Sequence, residues 1–471
     1  MESVARINIS KSLIFKFSLI FIINAIVATN PIGIVFVVFQ YLYVFYFVIR
    51  NDMQKAVFWH MIFMITSNSV LSFIATQVDS VYNYFSIKLV GPVTFSYIFS
   101  FFLLIVSSRN IYMQMDNSNI FLRMRKYFYI MGALGIIMGI VGVFFLDYFI
   151  EKFIDYTLYI SVIIIHIELL CRNNKGKLLK MCFNACLPLL IAAVVGNIFN
   201  VLYGMQVAYG ENDLFLQNAI SSFVVLAILA LPMVKNKVLV SVTVVTSLLM
   251  TVMIGSSGKF FINLSLVGVA FFLRLLSNKQ VKHKSIVWIV SVVVLILTSS
   301  APIEFEGLTS SKLHQFRSLE NVIYGDISNI DRSPYIRVAS IMNIYKENLQ
   351  NPIYFVTGRG FGGYFQDDLH VLRLVDLGHG GFNDEYVLKN KFPTAHSTYA
   401  IVPLLNGFGG FALIIYLIVL YTKRGIRHNY LGIMGLLWLL NMFYYNILIG
   451  LVGVFFLYSS EFKLDHGYVK K

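Results

Sequence analysis

The chain has 471 residues, of which 58% are hydrophobic and 13% charged, with a mean hydropathy of +0.74. A water-soluble domain carries about 25% charged residues, so this composition excludes an ordinary soluble fold. The formal charge of +14 does not point to nucleic acid. Residues 301–396 hold 9 Lys+Arg against 11 Asp+Glu, and the basic excess elsewhere sits in short loops at alternate ends of apolar segments, the positive-inside pattern.

Apolar stretches of spanning length recur along the chain, and in lipid they must be helices, which satisfy their own backbone polar groups. The expected fold is all-α: a polytopic membrane protein of about 14 transmembrane helices with one large, partly helical extracytoplasmic loop. In chain order the expected spans are 12–29, 31–49, 56–76, 87–107, 127–149, 154–171, 181–208, 214–234, 238–255, 260–276 and 285–300. After the loop come 397–421, 430–445 and 447–460. This gives helices over 1–300, a periplasmic loop over 301–396, and C-terminal helices with a short tail over 397–471.

The basic residues near Arg6, Lys11 and Lys16 resemble a signal peptide. The next apolar run follows at once without a clear cleavage site, so a retained first helix is expected. The turns at Arg50/Lys55, Arg172–Lys180, Lys235/Lys237 and Lys423–Arg427 are basic and assigned to the cytoplasm, together with both termini. One helix over 430–460 would be about 46 Å long, too long for a bilayer core, so the segment is split near Asn446. Cys171, Cys182 and Cys186 lack His or carboxylate companions and read as small core residues rather than metal ligands.

Within the loop, Ser333-Pro334 is a helix-start signal. Val338, Ile341, Met342, Tyr345 and Leu349 follow at helical spacing, and Pro352 marks the end. An amphipathic helix over 334–349, packed on the membrane domain, is expected. Gly358-Arg359-Gly360-Phe361-Gly362-Gly363 then forms a stretch rich in backbone amides. Long ordered loops of this kind carry function.

The chemistry-bearing candidates lie in the loop or at its borders. His396, at the mouth of the span that follows, is either an interfacial cap or a general base. Gly407 and Gly410 would let another helix approach closely. Lys259, in Gly255-Ser256-Ser257-Gly258-Lys259, is either a snorkelling lysine or an anion-binding cation. That segment is too short for a nucleotide-binding loop. Arg337 and Arg359 read singly as surface charges and, together with Lys259, as a clamp for a diphosphate. His370, Arg373 and His379 read as structural, and Asp367-Asp368 is a weak metal signal.

Taken in order, three segments resemble the O-antigen polymerase and O-antigen ligase superfamily of bacterial envelope glycosyltransferases. They are Ser257-Gly258-Lys259; Arg337 through Asn351-Pro352 to Gly358-Arg359-Gly360-Phe361-Gly362; and His396 with Gly407 and Gly410, which fits a His-x10-Gly-x2-Gly spacing. The likeness covers residues 240–460. Lys259 stands where the family has Arg, and Ser397 where Asn often follows the His.

The resemblance implies metal-independent, inverting transfer of a glycan from an undecaprenyl-diphosphate carrier at the periplasmic face of the bacterial inner membrane. No cofactor is implied. His396 would be the base, Lys259, Arg337 and Arg359 the diphosphate ligands, and Gly358, Gly360, Gly362, Gly407 and Gly410 the backbone support. The implied partners are undecaprenyl-diphosphate-linked oligosaccharides as donor and acceptor, membrane lipid, a chain-length regulator and a flippase.

Polymerase is favoured over ligase by chain length and span number. A lipid-glycan flippase would need internal repeats and intramembrane charges, of which the sequence offers no obvious repeat and few charges. A metal-dependent oligosaccharyltransferase would need an acid in its first outer loop, which here is Asn30-Pro31.

Overall fold

The computed structural model describes residues 9–27, 30–67, 82–107, 120–173, 176–207, 332–372, 382–395, 398–423 and 447–462, with positions 236, 238–243, 246, 431, 432, 435, 436, 439 and 444. Lys259, Arg373, His379 and His396 lie outside the described residues. So do the expected spans 214–234, 260–276 and 285–300, and most of 238–255 and 430–445.

The described chain is mostly helical. Its elements are α1 (Lys11–Val27), α2 (Ile32–Ile49), α3 (Met53–Thr66), a hairpin of β1 (Lys88–Val90) and β2 (Val93–Thr94), α4 (Phe95–Ser107), α5 (Ile120–Phe145), α6 (Ile150–Arg172) and α7 (Lys177–Val207). Then follow α8 (Arg332–Gln350), α9 (Pro352–Thr357), α10 (Asp384–Lys389), α11 (Thr398–Lys423) and α12 (Ile447–Ser459). Among the described residues, four stretches are long and apolar enough to cross a membrane: Ile32–Ile49, Phe121–Phe145, Ile150–Arg172 and Lys177–Gly196.

Their surfaces explain why the protein is membrane-embedded. On α2, Gly33, Val37, Gln40, Tyr41 and Val44 face the interior, while Val35, Phe39, Leu42, Phe45 and Ile49 are exposed. On α5, Ile137, Val141 and Phe144 are exposed, and Phe145 is 80% exposed. A helix apolar on its protein face and on its outward face has lipid as its solvent.

The two ends of the bundle differ in chemistry. At one end Asp52 caps α3 and pairs with Lys55 (3.0 Å) and Lys177 (3.1 Å), tying the α2–α3 turn to the start of α7. Asn173 bonds Ser107 across helices there, and the Glu461 carboxylate accepts from the Phe121 amide. Buried Glu168 takes Arg125 (3.3 Å), Arg172 (3.5 Å) and the Tyr129 hydroxyl (2.9 Å). The opposite end carries the α5–α6 turn, the hairpin, residues 382–395 and the starts of α11 and α12.

Two expected spans are corrected. The one placed at 87–107 starts as the hairpin, because Gly91-Pro92, with Gly91 at φ 53°, turns the chain between β1 and β2, and its helix begins only at Phe95. The one placed at 127–149 runs over 120–145, and Asp147, with φ 55°, sits in the turn. The split near Asn446 agrees with a turn at Tyr444, whose φ is 68°, ahead of α12. Cys171, Cys182 and Cys186 are buried thiols in the interior.

Candidate functional site

The expected loop helix is present as α8, but its inward face is not the expected stripe. Leu349 is 68% exposed and Met342 37%, whereas Tyr335, Ile336, Ala339, Asn343, Ile344, Glu347 and Asn348 are buried. The buried face is therefore partly polar, and its polar side chains reach partners elsewhere in the chain. Asn343 donates to Asp367 (2.8 Å), Glu347 accepts from the Gln366 amide (2.9 Å), and Asn348 donates to the Pro403 carbonyl of α11 (3.0 Å). The Asn348 bond ties α8 to α11, and the other two tie it to residues 366 and 367 of the loop.

After α8, Asn351 caps α9 by accepting from the Ile353 and Tyr354 amides, with Pro352 at the first turn. Next come the glycines, with Gly358 at φ 69°, Gly360 at φ 84° and Gly362 at φ 80°. They lead the chain into a break in α11. Gly407 has φ 61° and ψ −167°, so the helix that starts at Thr398 is interrupted there and resumes beyond it. An interruption releases carbonyls from the helical ladder. The glycine loop supplies the missing donors: the Arg359 amide bonds Leu404 O at 2.7 Å, and the Gly360 amide bonds Leu405 O at 3.1 Å.

The fit is made by backbone. A Cβ on Gly407 would lie 2.5 Å from the Gly358 nitrogen, and one on Gly358 would lie 2.5 Å from the Gly407 nitrogen. What approaches Gly407 is thus a loop rather than the helix expected from the sequence. Gly410 instead faces Asn406 and Val402 of its own helix, with the Met131 side chain nearby.

The same loop is bolted to α5 and α6. The Phe361 amide bonds Gly135 O (2.9 Å), and the Phe149 amide bonds Gly362 O (3.1 Å). Asn406, beside the break, donates to Met131 O (3.1 Å) and accepts from the Tyr444 hydroxyl (2.6 Å).

Arg359 is committed to an ion pair. Its guanidinium meets Glu347 at 2.9 Å, with the side chains 15% and 7% exposed, and lies over the Tyr354 ring at 4.8 Å. Burial pushes the Glu347 carboxyl above the usual range, opposed by Arg359. Arg337 is exposed on α8 and has no ion pair among the described residues. It lies about 15 Å along the helix axis from Glu347, so the two arginines rise from separate places on the loop. Asp367 accepts from Asn343 and from the Val371 and Leu372 amides (both 3.0 Å), which makes it a turn organiser. Asp368 and His370 are exposed. Among the described residues, no group of three or more His, Cys, Asp or Glu could hold a metal.

At this end of the bundle a cavity of about 350 Å³ opens between α4, α6, α11 and α12. It is lined by Tyr97, Lys152, Asp155, Tyr156, Tyr159, Thr394, Ile401, Tyr444 and Ile447. Thr394 and Ile401 are described residues that bracket His396 in sequence. The Tyr156 hydroxyl holds the Pro393 carbonyl (3.2 Å), and Lys391 pairs with Asp147 (2.7 Å), so residues 391–394 are anchored to α6 and to the α5–α6 turn. The hydrogen bond from Lys391 holds the Asp147 carboxyl below its usual range.

Sequence reasoning missed two features. The tyrosine-rich cavity is assembled from four distant segments and has no local motif. The second is a buried polar cluster in the bundle. His60 Nδ1 meets the Tyr84 hydroxyl and its Nε2 meets Ser100 Oγ, both at 2.8 Å, with His166 Nε2 at 3.2 Å. The Val162 carbonyl takes the His166 Nδ1 proton (2.8 Å), which leaves Nε2 of that ring as an acceptor. Two histidines in apolar helices 106 residues apart were the available signal.

No known family, curated protein or solved structure matches this chain.

Proposed function

We propose that the protein is a bacterial inner-membrane polysaccharide polymerase, joining undecaprenyl-diphosphate-linked repeat units at the periplasmic face. In this reading the chain has about 14 spans, cytoplasmic termini and a periplasmic loop over 301–396. The observation that carries it is the docking of the Gly358–Gly362 loop into the break at Gly407. Two of the three segments that resemble the O-antigen polymerase and ligase superfamily, far apart in sequence, meet there as one backbone-bonded unit. Asn348 of α8 bonds the same helix at Pro403, which ties the Arg337-bearing helix to it as well.

The chemistry follows from the compartment. No ATP is available outside the membrane, so the glycosyl-diphosphate bond supplies the driving force. His396 takes the proton of an acceptor hydroxyl as its oxygen attacks the anomeric carbon from the face opposite the leaving group. The bond between that carbon and the diphosphate oxygen breaks, and its electron pair leaves with undecaprenyl diphosphate. Lys259 and Arg337 stabilise the charge that develops there. Arg359, already paired with Glu347, clasps the loop to α8. His396 then releases its proton to water. The loop holds both glycans near one another, which raises their effective concentration.

The test is a deletion strain of the source organism. Loss of a polymerase leaves single repeat units on the surface. Long chains accumulating on the carrier lipid would identify a ligase instead, and an unchanged surface glycan would reject both. Transfer should also persist in EDTA.

A further inference from the structure

The cavity between α4, α6, α11 and α12 has a chemistry that selects among ligand classes. Four phenol rings (Tyr97, Tyr156, Tyr159 and Tyr444) and two isoleucines (Ile401 and Ile447) supply flat apolar walls. Lys152, Asp155 and Thr394 supply a donor, an acceptor and a hydroxyl on the same lining. Lys152 and Asp155 pair at 3.0 Å, so the charged part of the lining is neutral overall. Both side chains keep solvent access, at 26% and 46% exposure.

An anion is a poor occupant. The lining has one cation, already matched by a carboxylate, and a diphosphate here would face Asp155 without an uncompensated positive charge. A lipid tail is equally poor, because it would strip water from the Lys152–Asp155 pair, two charges that keep solvent access, and give them nothing in return. A metal ion would find a single carboxylate. A pyranose ring fits all of it: its C–H faces pack on aromatic rings, while its equatorial hydroxyls donate to a carboxylate and accept from an ammonium. The volume is at the small end of ligand pockets, room for one ring with its substituents rather than for an oligosaccharide.

We infer that this cavity is a monosaccharide subsite, in which Asp155 and Lys152 read hydroxyls and the tyrosines hold the ring. Thr394 and Ile401 line the subsite and stand two and five residues from His396 in sequence, and the subsite's neutrality separates it from any diphosphate-binding cations. It therefore takes the acceptor sugar rather than the sugar bonded to the departing diphosphate. The acceptor assignment rests on the polymerase reading; the binding of a pyranose does not.

Saturation-transfer NMR on the full chain, purified in a detergent without a sugar headgroup, tests the binding directly. The probes are the methyl glycosides of glucose, galactose, N-acetylglucosamine and N-acetylgalactosamine, with inorganic pyrophosphate as competitor. At least one glycoside should receive saturation, and Asp155→Asn and Lys152→Met should each weaken it about tenfold or more, the effect of losing a hydrogen bond to a bound hydroxyl. Glu385→Gln, on exposed α10, should leave it unchanged. Pyrophosphate should not displace it.

No transfer to any of the four glycosides, equal binding by both lining variants, or displacement by pyrophosphate would each overturn the subsite. The conservative variants keep side-chain volume, and their melting profiles separate lost binding from lost folding. The polymerase reading is judged separately, by the polymer made by His396→Ala, a residue outside this lining. Intact polymer there would end that reading while leaving the glycoside result to stand on its own.

Discussion

Replacing Gly407 by alanine probes the join between the glycine loop and the broken helix. With φ 61° and ψ −167°, this residue occupies a region that is essentially closed to side-chain-bearing residues, at about 1–3 kcal/mol. The added methyl would also sit 2.5 Å from the Gly358 nitrogen and 2.7 Å from the Val356 carbonyl, both backbone, so the loop must withdraw. Withdrawal forfeits the bonds from the Arg359 and Gly360 amides to Leu404 and Leu405, worth about 0.5–1.5 kcal/mol each. The total is about 2–6 kcal/mol.

Gly91→Ala is the control. Its φ is 53° but nothing lies within 4 Å of the new methyl, so it costs only the left-handed conformation, about 1–2 kcal/mol. Unfolding in mixed micelles, followed by tryptophan fluorescence, should show the larger loss for Gly407→Ala. Limited proteolysis should cut that variant within 356–363. A Gly407→Ala protein no less stable than Gly91→Ala would refute the docked-loop account.

Three further outcomes follow from the geometry. Arg359→Met should destabilise by about 3–5 kcal/mol, because it leaves Glu347 buried and unpaired, and adding Glu347→Leu should restore most of the loss; a double variant no better than the single would make Arg359 something other than a clasp. In that single variant the Glu347 carboxyl is raised still further, so the folded state binds its proton more tightly than the unfolded chain does. Stability should then fall as pH rises from the ordinary glutamate range through the raised value, and recover in acid, which melting curves against pH will read. Asp147 behaves oppositely, since Lys391 depresses its carboxyl; its tether is present above the ordinary aspartate range and lost as pH falls through the depressed value. An NMR titration should show Asp147 returning to the ordinary range in Lys391→Met.

Much of the helical framework could be read from the sequence because apolar length is a one-dimensional signal. The loop helix was equally visible, through Ser333-Pro334 and its spacing, and it runs over Arg332–Gln350. Its buried face was misjudged for a physical reason. Asn343, Glu347 and Asn348 turn inward because partners wait for them on Asp367, Gln366 and Pro403, and those partners come from other parts of the chain. The glycine spacing was visible too, but not the break it produces, since a glycine in an apolar run reads the same whether the helix continues or stops. Gly91-Pro92 was a legible turn signal that apolarity outweighed. The cavity was illegible, and the His60–His166 cluster left only two histidines in apolar helices as its trace, because the first exists only once α4, α6, α11 and α12 pack together and the second only once α3, α4 and α6 do.

The most direct test of the central claim is the surface glycan of a deletion strain complemented with His396→Ala or Arg337→Ala, with membrane levels of each protein matched to wild type. The account predicts that the polymer ladder collapses to single repeat units in both. A full-length ladder from either variant would contradict the role assigned to that residue, and from both it would contradict the polymerase.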